Sequence, residues 1–266
     1  MIKLIKDIFK NKKIIYQLSI SNFKNRFVGS YFGVVWMFVN PLATILVYTF
    51  VFQIGFRAVP PIENVPYVLW LIPGIIPWFY FQEVLLQGTN SLFEYNYLVK
   101  KVLFNVTLLP IIKLLSSLIA HLCFLIIMFI VFFIFKQPFN INNIYILYFT
   151  FCTSVLAVGI VYITSSINVF FKDMYQIVSI MLQFGIWLSP IMYDETIFSN
   201  RLNFITKILK LNPFYYIIKG YRFCMVKETF NDFLILTIYF WCITFLILFF
   251  GINLFNKLKP HFSDVL

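Results

Sequence analysis

Charge is what this sequence has least of. Only 12% of its 266 residues are charged, about half the share of an ordinary soluble domain, and ten of them are acidic. With 61% hydrophobic residues, the chain cannot cover a water-facing surface, so lipid must be its main solvent. Cysteine is scarce and scattered: Cys123, Cys152, Cys224 and Cys242 lie mostly inside apolar runs, with no CxxC spacing. Neither a metal site nor a redox pair is expected, and the four read as small buried hydrophobes. There are two histidines and no HExxH or nucleophile-elbow pattern. His121 reads as a helix-packing hydrogen-bond partner in the third apolar run, and His261 as a residue of the polar tail. Asp194 and Glu195 are neighbours, but neighbouring side chains point apart, so a solvated loop is expected there. No GxxxxGK[ST] loop is present, so the chain alone is not expected to hydrolyse a nucleotide. No catalytic residue, metal ligand or bound cofactor is expected. The first 30 residues lack the apolar core of a cleavable signal peptide.

What the sequence does have is long uncharged apolar runs, five of them above the roughly 18 residues that mark a spanning helix. An all-α, polytopic membrane protein with about six spans follows, as one transmembrane domain over 1–266. The spans are expected at 34–56, 65–86, 114–135, 144–170, 174–190 and 233–255. Pro73, Gly74 and Pro77 should kink or locally unwind the second span. An acid at mid-membrane would cost about 3 kcal/mol, so Glu83 is expected to reach the interface rather than relay protons. Between Asp173 and Pro190 about 16 residues give roughly 24 Å of helix, against about 30 Å of hydrocarbon. The fifth span should therefore stop short at Ser189–Pro190, with the following residues embedded.

Two segments are amphipathic. Residues 1–30 are expected as a cytoplasmic interface helix, with Ile2, Ile5 and Phe9 at helical spacing and Lys3, Lys6, Lys10 and Lys13 around them. It would act as a snorkelling anchor or as a platform for a partner. Residues 194–228 are expected as two short external helices dipping into the outer leaflet. Phe198, Leu202, Ile205 and Leu209 mark the first. Asn212 followed by Pro213 marks the start of the second, as N-cap and first helical position. Its Phe214, Ile217, Tyr221 and Met225 share one face, and Tyr215, Lys219 and Arg222 another.

Both termini in the cytoplasm would place 13 of the 21 Lys and Arg residues inside. Six of the remaining eight fall between Asp194 and Lys227, an excess that asks for a function. The net charge of +11 reads as cytoplasmic anchoring and contact with anionic lipid, not as nucleic-acid binding.

Four stretches carry a resemblance. They are Tyr31-Phe32-Gly33-Val34-Val35-Trp36 closed by Asn40-Pro41-Leu42, and Val169-Phe170-Phe171-Lys172-Asp173 followed by Leu188-Ser189-Pro190-Ile191-Met192-Tyr193. The others are Leu211-Asn212-Pro213-Phe214-Tyr215-Tyr216 with Tyr221-Arg222, and the tail from Phe255 to Leu266. In order and spacing the chain resembles the permeases of polysaccharide-exporting ABC transporters, which handle lipid-linked O-antigen, capsule and teichoic acid. Asn105 stands where that family would have proline, and Lys172 where it commonly has arginine. The resemblance implies a transporter subunit of the bacterial cytoplasmic membrane, not an enzyme. It implies a homodimer working with two copies of a separate ABC ATPase, which would bind ATP and Mg. A permease for a drug or small lipid is the alternative.

Six residues of the segment joining the second and third spans, Asn90, Glu94, Tyr95, Tyr97, Lys100 and Lys101, are expected to dock on the ATPase. Trp187, Ser189, Pro190, Tyr215, Lys219 and Arg222 are expected along the substrate path at the external gate. There Lys219 and Arg222 would meet a substrate phosphate or snorkel to headgroups. The aromatic share of 21% suits stacking on sugar faces, and equally suits packing against lipid and neighbouring helices.

Overall fold

A computed structural model describes residues 2–26, 28–58, 60–62, 65–100, 105–198, 203–230 and 232–266. Those residues form an all-α membrane protein with no strand among them. Helices α1 (Ile2–Lys10) and α2 (Lys12–Asn25) replace the single N-terminal helix expected. They break at Asn11, whose amide donates to the Asp7 carbonyl. The described side chains of α2 turn Ile15, Ser19 and Asn22 inward, and Ser19 donates to the Ile112 carbonyl.

Helix α3 (Val35–Thr49) ends in a widened π turn, Phe50–Gly55. None of its residues is buried within the single chain. Helix α4 (Tyr67–Thr89) is the opposite, buried along most of its length. It stays helical through Pro73 and Pro77, contrary to the local unwinding expected. Arg222 Nε donates to the Trp70 carbonyl, three residues before the first proline. After α4 come the short turns α5 (Ser91–Glu94) and α6 (Asn96–Val99).

Helix α7 (Leu109–Ile134), with a leading 3-10 turn Val106–Leu108, begins before the expected 114. Lys113 lies inside it and is fully buried, because Glu94 pairs with its ammonium. Helix α8 (Ile146–Phe170) packs closely on α12 (Phe233–Leu258). The approach depends on small residues: a Cβ on Gly251 would stand 2.5 Å from the Gly159 carbonyl oxygen. Helix α9 (Met174–Trp187), at 14 residues, is about 21 Å long and shorter than a full crossing. After the exposed Leu188, residues 189–192 are buried in protein, Ser189 and Ile191 completely. Among the described residues, five helices are long and apolar enough to span a membrane, and α9 is a shorter apolar helix.

Helices α10 (Asn203–Leu211) and α11 (Pro213–Val226) follow. Asn212 caps α11 by accepting from the Phe214 N–H at 3.0 Å, with Pro213 in the first turn, as its sequence dictates. However, α11 does not lie on a leaflet. Twelve of its residues, Lys219 and Arg222 included, are buried against α4, α8 and α12. Gly220 faces the ring of Phe149 so closely that a Cβ there would overlap it. The tail also departs from the solvated form expected: Phe262, in the last turn α13 (Phe262–Val265), is buried against Phe255.

Candidate functional site

A cavity of about 720 Å³ lies between α3, α4 and α9, a size suited to a small-molecule or chain-segment ligand. Its walls follow helical repeats. Trp36, Asn40, Thr44 and Tyr48 stand four residues apart and line one face of α3, while Phe79, Glu83 and Gln87 do the same on α4. Trp78 with Gln82, and Gln183 with Trp187, complete the lining on α4 and α9. Gly185 permits the close α4–α9 approach, since a Cβ there would come 2.8 Å from the Trp78 ring. Indole and phenol rings alternate with amides and a hydroxyl, and two charged residues, Arg26 and Glu83, line the end nearest α2.

At that near end Arg26 pairs with Glu83. Its Nη2 also donates to Ser116 Oγ at 3.0 Å and Ser117 Oγ at 3.2 Å on α7. One turn earlier on α2, Asn22 donates to the Tyr95 hydroxyl at 3.1 Å. The Lys113 ammonium lies 5.2 Å from the centre of the Tyr95 ring. Burial draws the Arg26 pKa down to about 10, which leaves the guanidinium cationic at neutral pH. Glu83 is therefore neither a lone interfacial carboxylate nor a relay, but half of an ion pair.

The far end holds a second charged cluster. Lys219 pairs with Glu228, with Glu195 at 3.0 Å and with Asp194 at 3.6 Å. Burial pulls the Lys219 ammonium down, and Glu228, Glu195 and Asp194 together outweigh it and hold its pKa above the ordinary lysine value. Arg222 is fully buried, its guanidinium 3.4 Å from the centre of the Trp70 ring. It donates to the Pro190 carbonyl at 2.9 Å and the Ile191 carbonyl at 2.6 Å. Trp70 Nε1 in turn donates to Glu228 at 2.8 Å. Gly74 makes room, since a Cβ there would come 3.1 Å from Arg222. The left-handed backbone at Lys227 turns the chain so that Glu228 faces back to α11.

The expected gate residues thus come together, but as a closed knot. Ser189 accepts from Asn212 at 2.9 Å, and Tyr215 donates to Glu195 at 2.8 Å. Trp187 alone among them lines the large cavity. Lys219 and Arg222 neither present a free cation to a passing anion nor snorkel outward. The solvated loop expected of Asp194 and Glu195 is overturned too: neighbouring carboxylates turn to one ammonium, and Asp194 is buried.

The residues expected to dock a partner divide. Tyr95 is nearly buried and Glu94 is paired to Lys113, so both contribute to the fold of this chain. Tyr97 is exposed, as is Lys100, and Asn90 lines a small cleft with Phe93 and Lys172. Lys101 lies outside the described residues. His121 behaves as a packing residue, stacked on Tyr80 with a ring separation of 4.5 Å and 3.0 Å from the Tyr221 hydroxyl.

Sequence reasoning missed the cavity lining and the Arg26–Glu83 pair. Their signal was available. Asn40, Thr44, Gln82, Gln87 and Gln183 are polar residues within apolar spans, each spaced four from an aromatic or another polar position.

Comparison with known proteins agrees with this architecture. The chain is 25% identical over 257 residues to the O-antigen export system permease protein RfbA of Klebsiella pneumoniae, covering 95% of each chain. It is 23% identical over 233 residues to the protein of the same name from Myxococcus xanthus, covering 87% of each. The profile of the ABC-2 type transporter family matches residues 14–226, from α2 through α11. With most of its membrane helices inside that match, this chain belongs to the ABC-2 type transporter family.

Proposed function

We propose that the chain is the transmembrane subunit of an ATP-driven exporter of lipid-linked polysaccharide across the bacterial cytoplasmic membrane. The cavity carries this reading. Its walls pair flat rings, Trp36, Tyr48, Trp78 and Trp187, with the amides of Asn40, Gln82, Gln87 and Gln183. Sugar faces stack on such rings, and their hydroxyls exchange hydrogen bonds with amides that are equally donor and acceptor. The name borne by the relatives from Klebsiella and Myxococcus points the same way.

The chain works as a homodimer with two copies of a separate ABC ATPase, which binds the ATP and Mg. Helix α3 borders the cavity yet has no buried residue, leaving a flank for a second copy to cover. The N-terminal helices, Tyr97 and Lys100 form the ATPase side, with both termini in the cytoplasm. Charge distribution favours this orientation, which puts 13 of the 21 Lys and Arg residues on the cytoplasmic side.

Deletion of the gene in its host tests the proposal. Surface polysaccharide should disappear while its lipid-linked form accumulates inside, and the chain should restore export only together with its ATPase. Unchanged surface polymer, with loss of resistance to a drug or of transfer of a small lipid, would overturn the polysaccharide reading.

A further inference from the structure

The large cavity is neutral except at one end. Its amides, hydroxyls and rings suit an uncharged or weakly charged sugar chain, but a lipid-linked chain also carries phosphate. Among the described residues lining the cavity, Arg26 is the single cation. It stands where α2 meets α4 and α7, at the end that the proposed orientation makes cytoplasmic. The far cluster offers no alternative, because Lys219 and Arg222 already have carboxylate and carbonyl partners inside the protein.

Arg26 is held in a way that permits exchange. Its carboxylate partner Glu83 keeps 28% of its side chain exposed, and Arg26 keeps 15%. The Ser116 and Ser117 hydroxyls hold Nη2 from the α7 side, fixing the fork, while Glu83 is the carboxylate in direct contact with it and Glu94 acts from farther away. Arg26 Nε is buried with no acceptor of its own. A pyrophosphate carries more negative charge than one carboxylate and presents oxygens spaced for a bidentate guanidinium contact.

We propose that Arg26 is the binding site for the phosphate group of the lipid carrier at the cytoplasmic mouth of the cavity, with Glu83 occupying it until substrate arrives. This rests on the reading of the chain as a permease for lipid-linked polymer. The phosphate is held at the entrance while the sugar fills the neutral, ring-lined remainder. The pair also keeps Arg26 neutralised in the resting state, so that no uncompensated cation faces the cavity.

The test uses the full chain in phosphatidylcholine nanodiscs, with geranylgeranyl pyrophosphate and geranylgeraniol as probes. The wild-type protein should prefer the pyrophosphate by roughly tenfold or more, the scale of one charge-assisted hydrogen bond. Arg26→Gln should erase the preference, and Arg26→Lys should restore part of it. Glu83→Gln should strengthen pyrophosphate binding several-fold, since a competitor for Arg26 has been removed. A gain of affinity cannot come from misfolding, so Glu83→Gln decides the matter even where Arg26→Gln proves unstable. A preference that survives Arg26→Gln, or affinity unchanged in Glu83→Gln, would overturn the proposal. Loss of the preference when phosphatidylglycerol replaces phosphatidylcholine would overturn the carrier assignment and give the site to a bilayer headgroup. Export in cells is scored separately. A chain that exports polymer but shows no preference loses this site alone, and one that shows it without exporting polymer loses the functional reading alone.

Discussion

The two ends of this molecule handle buried charge in opposite ways. At the far end, Lys219 and Arg222 face Asp194, Glu195 and Glu228, and Arg222 is capped by three backbone carbonyls and the Trp70 ring. Both cations there are already held by partners within the chain. At the near end, Arg26 pairs with one partly exposed carboxylate at the edge of a cavity and retains a donor without an acceptor. The far knot ties the end of α9, the start of α4 and α11 into one unit. The near pair joins the end of α2 to the cavity wall on α4. The same residue types, arginine with glutamate, are thus locked among many partners at one end and held by few at the other. Burial and the number of partners separate the two roles.

Substitutions should rank accordingly. Arg222→Leu leaves the Pro190 and Ile191 carbonyls without their donor and Glu228 with one cation fewer. A loss of about 3–5 kcal/mol is expected, as for breaking other buried charge pairs, measured as a lower thermal midpoint and lower yield of folded protein. Arg26→Gln should cost only about 1 kcal/mol of stability, because the pair is partly solvated. Its effect should fall on ligand binding instead, which the same melting experiment with and without pyrophosphate lipid reads out. Tyr95→Phe removes one neutral hydrogen bond from Asn22 and should cost about 1 kcal/mol or less. Equal losses for Arg222 and Arg26 would break the comparison.

Much of the fold was legible in the sequence because lipid imposes a simple rule on length and polarity. The apolar runs, the short α9 and the Asn212-Pro213 start of α11 all follow from local pattern. What was hidden depends on pairing between distant segments. Lys113 reads as a flank just before the third span, yet Glu94, at the end of α5, lets it sit inside α7. Lys219 and Arg222 looked like an exposed basic face because the periodicity of α11 says nothing about Glu228 beyond it or Asp194 before it. Glu83 was read alone because its partner lies 57 positions away. The cavity lining was partly legible: the fourfold spacing from Trp36 to Tyr48 marks a polar and aromatic face, but only packing shows which helices it faces.

Export per assembled complex, compared for Arg26→Gln and Arg222→Leu, tests the central contrast most directly. Each variant would be expressed with the ATPase in the deletion host, with intact complex quantified by pull-down and surface polysaccharide by antibody. Arg26→Gln should assemble at near wild-type level and lose export by roughly tenfold or more, matching loss of a charge-assisted phosphate contact. Arg222→Leu should yield fewer complexes, each exporting normally. Normal export per complex by Arg26→Gln, with a fully assembled but inactive Arg222→Leu complex, would contradict the account.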